Sequence, residues 1–244
     1  MQINFAHKLY AILGTVTTIT LLVTIIAGSF MMMTPNKPPE SVPPVSPFDS
    51  DSAENDLQKS YSWNLNITAT MFWVGEGADL SNDFIHNRSS AWVEDWVESF
   101  GGVDDPENRC GNNPCGFTPK ENVFYFALPY NDLDHEGNRK TNATLIPWYQ
   151  TPFPEYESQV KNRWIEVRKN KISAYAQWED VGPFNENDVD YVFGDKPPQD
   201  KRAGLDLSPA TSKYIDLGGR AQVKWRFVDA EKVPIGPWKQ KITE

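Results

Sequence analysis

The sequence predicts a mainly β domain, a compact barrel carrying short helices and loop insertions, preceded by an N-terminal transmembrane helix. Three observations predict it. Five short runs rich in β-branched and aromatic residues recur between residues 67 and 228, each bounded by Gly, Pro, Asn or Asp, which is how strands separated by turns read. Only two stretches carry helical spacing. Tyr10 to Met33 is uncharged and mostly apolar, and longer than the roughly 20 residues a bilayer crossing needs.

Residues 1–9 form a short cytoplasmic segment and residues 10–33 the anchor or uncleaved signal. A cleavable signal would have an apolar core of only about 7 to 15 residues, although Ala27-Gly28-Ser29 offers small residues for cutting; secretion is the alternative. No cysteine follows the apolar run, so a bacterial lipid-anchor site is missing. Lys8 lies before the span while Asp49, Asp51, Glu54 and Asp56 crowd the far side, which keeps the N-terminus cytoplasmic and the rest of the chain outside. Residues 34–60 are rich in Pro, Ser and acidic residues without apolar periodicity. Such a stretch buries too little surface to fold and reads as a semi-extended tether. The domain proper spans residues 61–244.

Within it, strands are expected at Ile67 to Val74, Val123 to Leu128, Trp164 to Arg168, Ile172 to Trp178 and Ala221 to Val228. In the last, Val223, Trp225 and Phe227 alternate with Lys224, Arg226 and Val228, a strand with one buried face. Trp92, Trp96 and Phe100 at i, i+4 and i+8 predict a core-facing helix over Ser89 to Phe100. Ser208 to Leu217 is the second helix, capped by Ser208. Several strands with two short helices suit a barrel. Cys110 and Cys115 are the only cysteines, and in an oxidising compartment a pair this close closes a small disulfide loop. Beyond the membrane the histidines are His86 and His135, neither beside a cysteine or another histidine, so neither a metal site nor a cofactor is expected. Asn66-Ile67-Thr68, Asn87-Arg88-Ser89 and Asn142-Ala143-Thr144 are glycosylation sequons, meaningful only in a eukaryotic host.

The net charge of −10 argues against nucleic acid, whose phosphates need clustered Lys and Arg. Two acidic residues stand out instead. Asp180 lies in Glu179-Asp180-Val181-Gly182-Pro183-Phe184 and Asp206 in Leu205-Asp206-Leu207-Ser208-Pro209-Ala210, both read as loops at the ends of apolar alternating runs, where chemistry commonly resides. Either alone also suits a plain structural job, as turn former or helix cap. Asp206, between two leucines, fits a general acid whose proton is held by burial; Asp180, beside Trp178, would raise that pKa or orient substrate. Cleaving a glycosidic bond needs such an acid and commonly a second carboxylate.

The order of Trp164-Ile165-Glu166-Val167-Arg168, Ala174 to Phe184, Leu205 to Ala210, Leu217-Gly218-Gly219 and Val223-Lys224-Trp225 resembles that of double-psi β-barrels, the rare lipoprotein A, expansin and barwin-like group. Ala127-Leu128-Pro129-Tyr130 is similar to that group's strand-end motif, and Thr70-Met71-Phe72 to the Thr-x-Tyr of the expansin first strand. The resemblance covers residues 67 to 228 and implies a six-stranded double-psi barrel with Asp206 as the key acid, in a cleft that cuts or loosens cell-wall polysaccharide or a peptidoglycan glycan strand. It departs from the pattern at Val181, where rare lipoprotein A has Arg, at Phe72, which lacks the tyrosine hydroxyl, and in an insertion before Asp206. Lytic transglycosylases of this kind need one acid, because the sugar's own hydroxyl replaces water. Expansins loosen polysaccharide without lysis, so a non-catalytic binding module is the alternative, and a barrel that recognises a protein partner is a third. Thr70, Phe72, Trp178 and Tyr191 are the expected substrate-binding residues, the last two by stacking on sugar or, for Trp178, by filling the core instead. Glu76, Asp79 and Asp83 lie where an expansin-type acidic residue would, with a solvated loop as the simpler reading.

Overall fold

The computed structural model describes residues 61–80 and 82–244. Residues 1–60, with the expected anchor and tether, lie outside the described residues. Among those described, no helix is long and apolar enough to cross a membrane.

Six strands close into a barrel. They are β1 (Asn64–Met71), β4 (Tyr125–Leu128), β5 (Trp164–Lys169), β6 (Ile172–Val181), β7 (Leu205–Leu207) and β8 (Arg220–Val228). Around the barrel the order is β1-β7-β4-β6-β5-β8, and β8 returns to β1. The β1–β7 and β4–β6 pairs are parallel and the remaining pairs antiparallel. Closure leaves no sheet edge to pair with another chain. The expected β8 alternation is realised: Val223, Trp225 and Phe227 are buried while Gln222, Lys224 and Arg226 face outward. Inside, Trp178 stacks on Phe227 at 6.0 Å and Phe193 on Phe227 at 5.7 Å. Fully burying one such ring stabilises the fold by about 1.5–3 kcal/mol.

The long segment after β1 is held by α1 (Trp96–Phe100) and by the hairpin of β2 (Arg109–Cys110) and β3 (Asn113–Pro114). Trp96 and Phe100 pack edge-on against Tyr125, with ring centroids 5.4 and 5.8 Å away. The Tyr125 hydroxyl donates to Asp104 at 3.0 Å and accepts from the Val74 amide at 3.0 Å. Helix α1 is shorter than its apolar spacing predicts, because residues 90–93 close into a turn in which Ser90 N donates to Val93 O at 2.9 Å. Ser90 Oγ accepts from the Trp92 and Val93 amides and Asp180 accepts from Ala91, a side-chain competition with the backbone that favours a turn. Trp92 still packs against Trp178, at 6.3 Å. Cys110 and Cys115 are disulfide-bonded, with Cα atoms 4.9 Å apart across the hairpin.

Two further short helices are α2 (Val189–Val192) and α3 (Pro209–Tyr214). Ser208 caps α3 as expected, its Oγ accepting from the Thr211 amide at 3.2 Å. The segment before it differs from expectation. Asp206 sits inside a strand, not in a loop, because β7 is wedged between β1 and β4 and takes hydrogen bonds from both sides. Asp180 likewise belongs to β6.

Candidate functional site

One rung of the barrel carries the site. Thr70 on β1 stands opposite Asp206 on β7, Asp206 opposite Ala127 on β4, and Ala127 opposite Asp180 on β6. The β4–β6 register shifts between Phe126 and Ala127, leaving Glu179 unopposed; this bulge is what brings Asp180 level with Asp206, the re-aiming such irregularities perform.

Thr70 Oγ1 donates a hydrogen bond to Asp206 Oδ1. Asp206 is partly buried and lines a cavity of about 250 Å³ together with Thr70, Phe72, Glu76, Asn87 and Phe184. Burial pushes the Asp206 carboxyl up to about 6, against the pull of the Thr70 hydrogen bond. Gly182, at φ 150°, forms part of the same wall, and a side chain there would begin 3.9 Å from Asp206 Oδ2. It is the backbone conformation that favours glycine here.

In the sequence Glu76 belongs to an acidic cluster with Asp79 and Asp83 whose simpler reading is a solvated loop. The structure overturns that reading for Glu76: it is 7% exposed and lines the cavity. The chain crosses itself here, since Gly75 N donates to Asn87 O at 2.7 Å and Asn87 N to Glu76 O at 3.0 Å, while Asn87 Nδ2 donates to Glu76 Oε2 at 2.8 Å. Burial pushes the Glu76 carboxyl up to about 7, with the Asp206 charge adding to it and the Asn82 and Asn87 amides opposing. Two carboxyls with raised pKa values therefore share one small cavity, and each is coupled to it by a neutral donor. Its sequence signal was position alone, directly after the first strand.

Asp83 stays on the exposed rim, paired with Arg202 at 2.5 Å. Arg202 lies over the Phe184 ring at 3.6 Å and also pairs with Asp200 at 2.8 Å, which ties three loops around the mouth. Asp79 is exposed.

The other expected site residues separate. Asp180 is on the right rung but outside the cavity lining. Its Oδ1 accepts from the Ala91 and Val181 amides, both at 2.8 Å, and burial pushes it up to about 7, with those two bonds opposing and the Asp206 charge adding. The bond from Ala91 ties β6 to the loop that precedes α1. Trp178 is fully buried, its Nε1 donating to Asp180 O at 2.8 Å. Tyr191 is fully buried too, its hydroxyl donating to Gly204 O at 2.9 Å and accepting from Trp225 Nε1 at 2.8 Å. Neither ring has a face free for stacking on sugar, so the sequence-based assignment of both as substrate platforms is corrected to core. Thr70 and Phe72 do line the cavity, Phe72 with its ring against Tyr125 at 5.4 Å. Among the described residues there is no group of three or more His, Cys, Asp or Glu placed to hold a metal.

No family model matches this chain, and no curated protein matches it. Among solved structures it is similar to the Streptomyces papain inhibitor, at 15% identity over 70% of this chain and 98% of that one, with a TM-score of 0.30. At that score the likeness carries no argument about function.

Proposed function

We propose that this chain is an extracytoplasmic, glycan-active double-psi β-barrel of the rare lipoprotein A and expansin type, acting on cell-wall polysaccharide through Asp206 and Glu76. The observation that carries the reading is the shared cavity of these two carboxyls, beside Thr70 on the strand that the resemblance singles out. The Cys110–Cys115 disulfide suits an oxidising compartment.

Both carboxyls are raised toward neutral pH, Asp206 to about 6 and Glu76 to about 7, chiefly by burial, so one can carry a proton while the other is ionised. Two carboxyls whose environments set them apart in this way divide into acid and base. The pair gives its proton to the glycosidic oxygen as the C1–O bond breaks. Water, or the sugar's own hydroxyl, then adds to C1 and returns a proton to the ionised carboxylate. Water gives a reducing end and hydrolysis; the internal hydroxyl gives an anhydro ring and a lytic-transglycosylase outcome. Asp206, the general acid of the sequence reading with Asp180 beside it, is here paired with Glu76. Asp180 acts as a positioning residue through Ala91.

The alternative is a non-catalytic binding or wall-loosening module, in which the same cavity holds glycan without cutting it. The experiment is to incubate the full-length chain in mild detergent with insoluble peptidoglycan, chitin and cellulose, and to analyse the supernatant by mass spectrometry. Soluble fragments from one polymer, lost in Asp206→Asn, support the enzyme. Retention on a polymer with no release supports the binding module, and neither release nor retention overturns the glycan reading.

A further inference from the structure

We infer that the outer wall of β5 and β8 is a docking face for an anionic bilayer surface, on which Trp63, Arg168, Lys224 and Arg226 engage phosphodiester headgroups. The face takes no part in the acid chemistry proposed above.

The strand period builds it. Glu166 and Arg168 alternate along β5 with the core residues Ile165 and Val167, and Lys224 and Arg226 along β8 with Val223, Trp225 and Phe227, so all four point away from the core. In register, Arg168 stands opposite Lys224 and Glu166 opposite Arg226. Glu166 is 1% exposed and organises the face: its Oε1 accepts from Arg168 Nη2 at 2.6 Å and its Oε2 from Arg226 Nη2 at 2.8 Å. Burial pushes the Glu166 carboxyl up, yet those bonds and one from Ser173 hold it below the ordinary range, so it stays ionised. Three cations therefore share one carboxylate. Among the described residues Lys224 Nζ has neither a hydrogen-bond nor an ion-pair partner; it lies 4.7 Å from the centre of the Trp63 ring. The Arg168 and Arg226 guanidiniums meet the same ring at 5.0 and 4.7 Å. Like charges directly opposite on neighbouring strands are destabilising, and Arg168 and Lys224 form such a pair in a chain whose net charge is −10. An external anion relieves it.

Shape, chemistry and position name the occupant. The face lies on the convex outside of a barrel wall and not in a cleft, so it suits an extended surface. Trp63, half-buried, and Leu65, 59% exposed, stand with the cations; Leu65 falls between the Asn64–Trp225 and Ile67–Val223 pairs, level with Lys224. An indole and an aliphatic side chain among basic residues are the chemistry of a headgroup boundary, where rings sit at the interface and cations find phosphates. The chain enters the barrel at this face through Tyr61 and Ser62, and the apolar run of residues 10–33 lies upstream in the sequence. A bilayer that holds that run meets the face at a raised effective concentration. The cavity lies elsewhere. In the ring of strands β7 is three places from β5 and β4 three places from β8, so Asp206 is on the opposite wall. Thr70 is six positions along β1 from Asn64, roughly 20 Å. Docking at this face therefore turns the cavity away from the bilayer.

The test reconstitutes the full-length chain into phosphatidylcholine vesicles with and without phosphatidylglycerol, applies an impermeant amine-acetylating reagent and reads each lysine by mass spectrometry. Lys224 should react about tenfold more slowly on the phosphatidylglycerol vesicles, while Lys201 and Lys213, both exposed and outside this face, react alike on the two. High salt should restore the Lys224 rate, because screening removes the attraction. Leu65→Glu sets an acid on the face without touching the Glu166 bonds. It should bring the two Lys224 rates together, with Lys201 and Lys213 unchanged as evidence that the barrel is intact. Equal Lys224 rates on the two kinds of vesicle in the wild type overturn the docking face, and so does protection that survives in Leu65→Glu. Protection of Lys224 by soluble polyphosphate but not by phosphatidylglycerol overturns it too, and assigns the face to a soluble polyanion.

Discussion

Asp206 and Glu76 share a cavity but differ in how they hold a proton. Asp206 is partly exposed and receives the Thr70 hydroxyl, whereas Glu76 is buried beneath the Asn87 amide and feels the Asp206 charge. Turnover should therefore follow a bell in pH with its maximum between about 6 and about 7. Asp206→Asn removes the charge that helps to raise Glu76, so it should lower the alkaline limb as well as cut kcat by about 100-fold. Glu76→Gln should cut kcat to a similar extent and leave a single-limbed profile; a full bell in Glu76→Gln would remove Glu76 from the pair. Asp180 belongs to a different test. Asp180→Asn keeps an oxygen that can accept from Ala91, while Asp180→Ala strands that amide, which costs about 1–3 kcal/mol. Denaturant unfolding should show Asp180→Ala weakened by that amount and Asp180→Asn by clearly less, and equal losses would mean that the charge, not the hydrogen bond, is what this residue contributes.

At the level of elements, the β2–β3 hairpin and its disulfide form a sheet separate from the barrel. The closed loop is short, separating Cys110 from Cys115 by five positions, so chain-entropy reasoning gives the bond about 2 kcal/mol. Arg109 also anchors the hairpin from inside by its ion pair with Asp104, which in turn is bonded to Tyr125. Reduction should accordingly raise amide exchange in the segment 105–117 while leaving β4, β5 and β6 protected. Hydrogen exchange followed by mass spectrometry reads this directly, and loss of protection across the barrel on reduction would contradict it. The short strand β7 behaves in the opposite way. Its three residues are bonded on both sides, so it should open only with the whole barrel.

For the molecule as a whole, the buried carboxyls set the direction of its pH response. Glu76, Asp180 and Asp206 are raised to about 7, 7 and 6, and Glu179 to about 8. Each folded-state value lies above the ordinary carboxyl range of about 4, so between those limits the folded chain binds more protons than the unfolded one. Stability from these groups is present in full below the unfolded pKa and is lost as pH rises through the folded values. The melting temperature should fall from pH 5 to pH 8.5. Glu179 carries the largest part of that fall: burial raises it first, Lys161 opposes, and Glu121 adds, while its Oε1 has no hydrogen-bond partner. Glu179→Gln removes the charge and should melt roughly 2–4 °C above wild type at pH 8.5 and alongside it at pH 5. A variant that is less stable at both pH values would show that the Lys161 pair outweighs the burial cost.

The sequence by itself determined what period, composition and local chemistry can encode. The alternation in β8, the β-branched and aromatic runs of β1, β4, β5 and β6, the Ser208 cap and the paired cysteines are all local signals, and each has its element in the structure. Thr70 and Asp206 were legible through the resemblance, and they meet. What only the tertiary structure decided is which side of a wall a residue faces. A three-residue strand such as β7 draws its stability from two neighbours, not from propensity, so nothing within Leu205-Asp206-Leu207 announces it. Trp178 and Tyr191 have the composition of a sugar platform and the position of core, because closing the barrel buries their rings with Phe193, Trp225 and Phe227. Glu76 stands between two glycines with Asp79 and Asp83 close behind, a local pattern that reads as a solvated loop. Glu76 is buried because Asn87 folds back over it and the far-off Asp206 arrives beside it. Both are contacts between distant parts of the chain, and burial, which sets a carboxyl's pKa, is a property of such contacts and not of the local sequence.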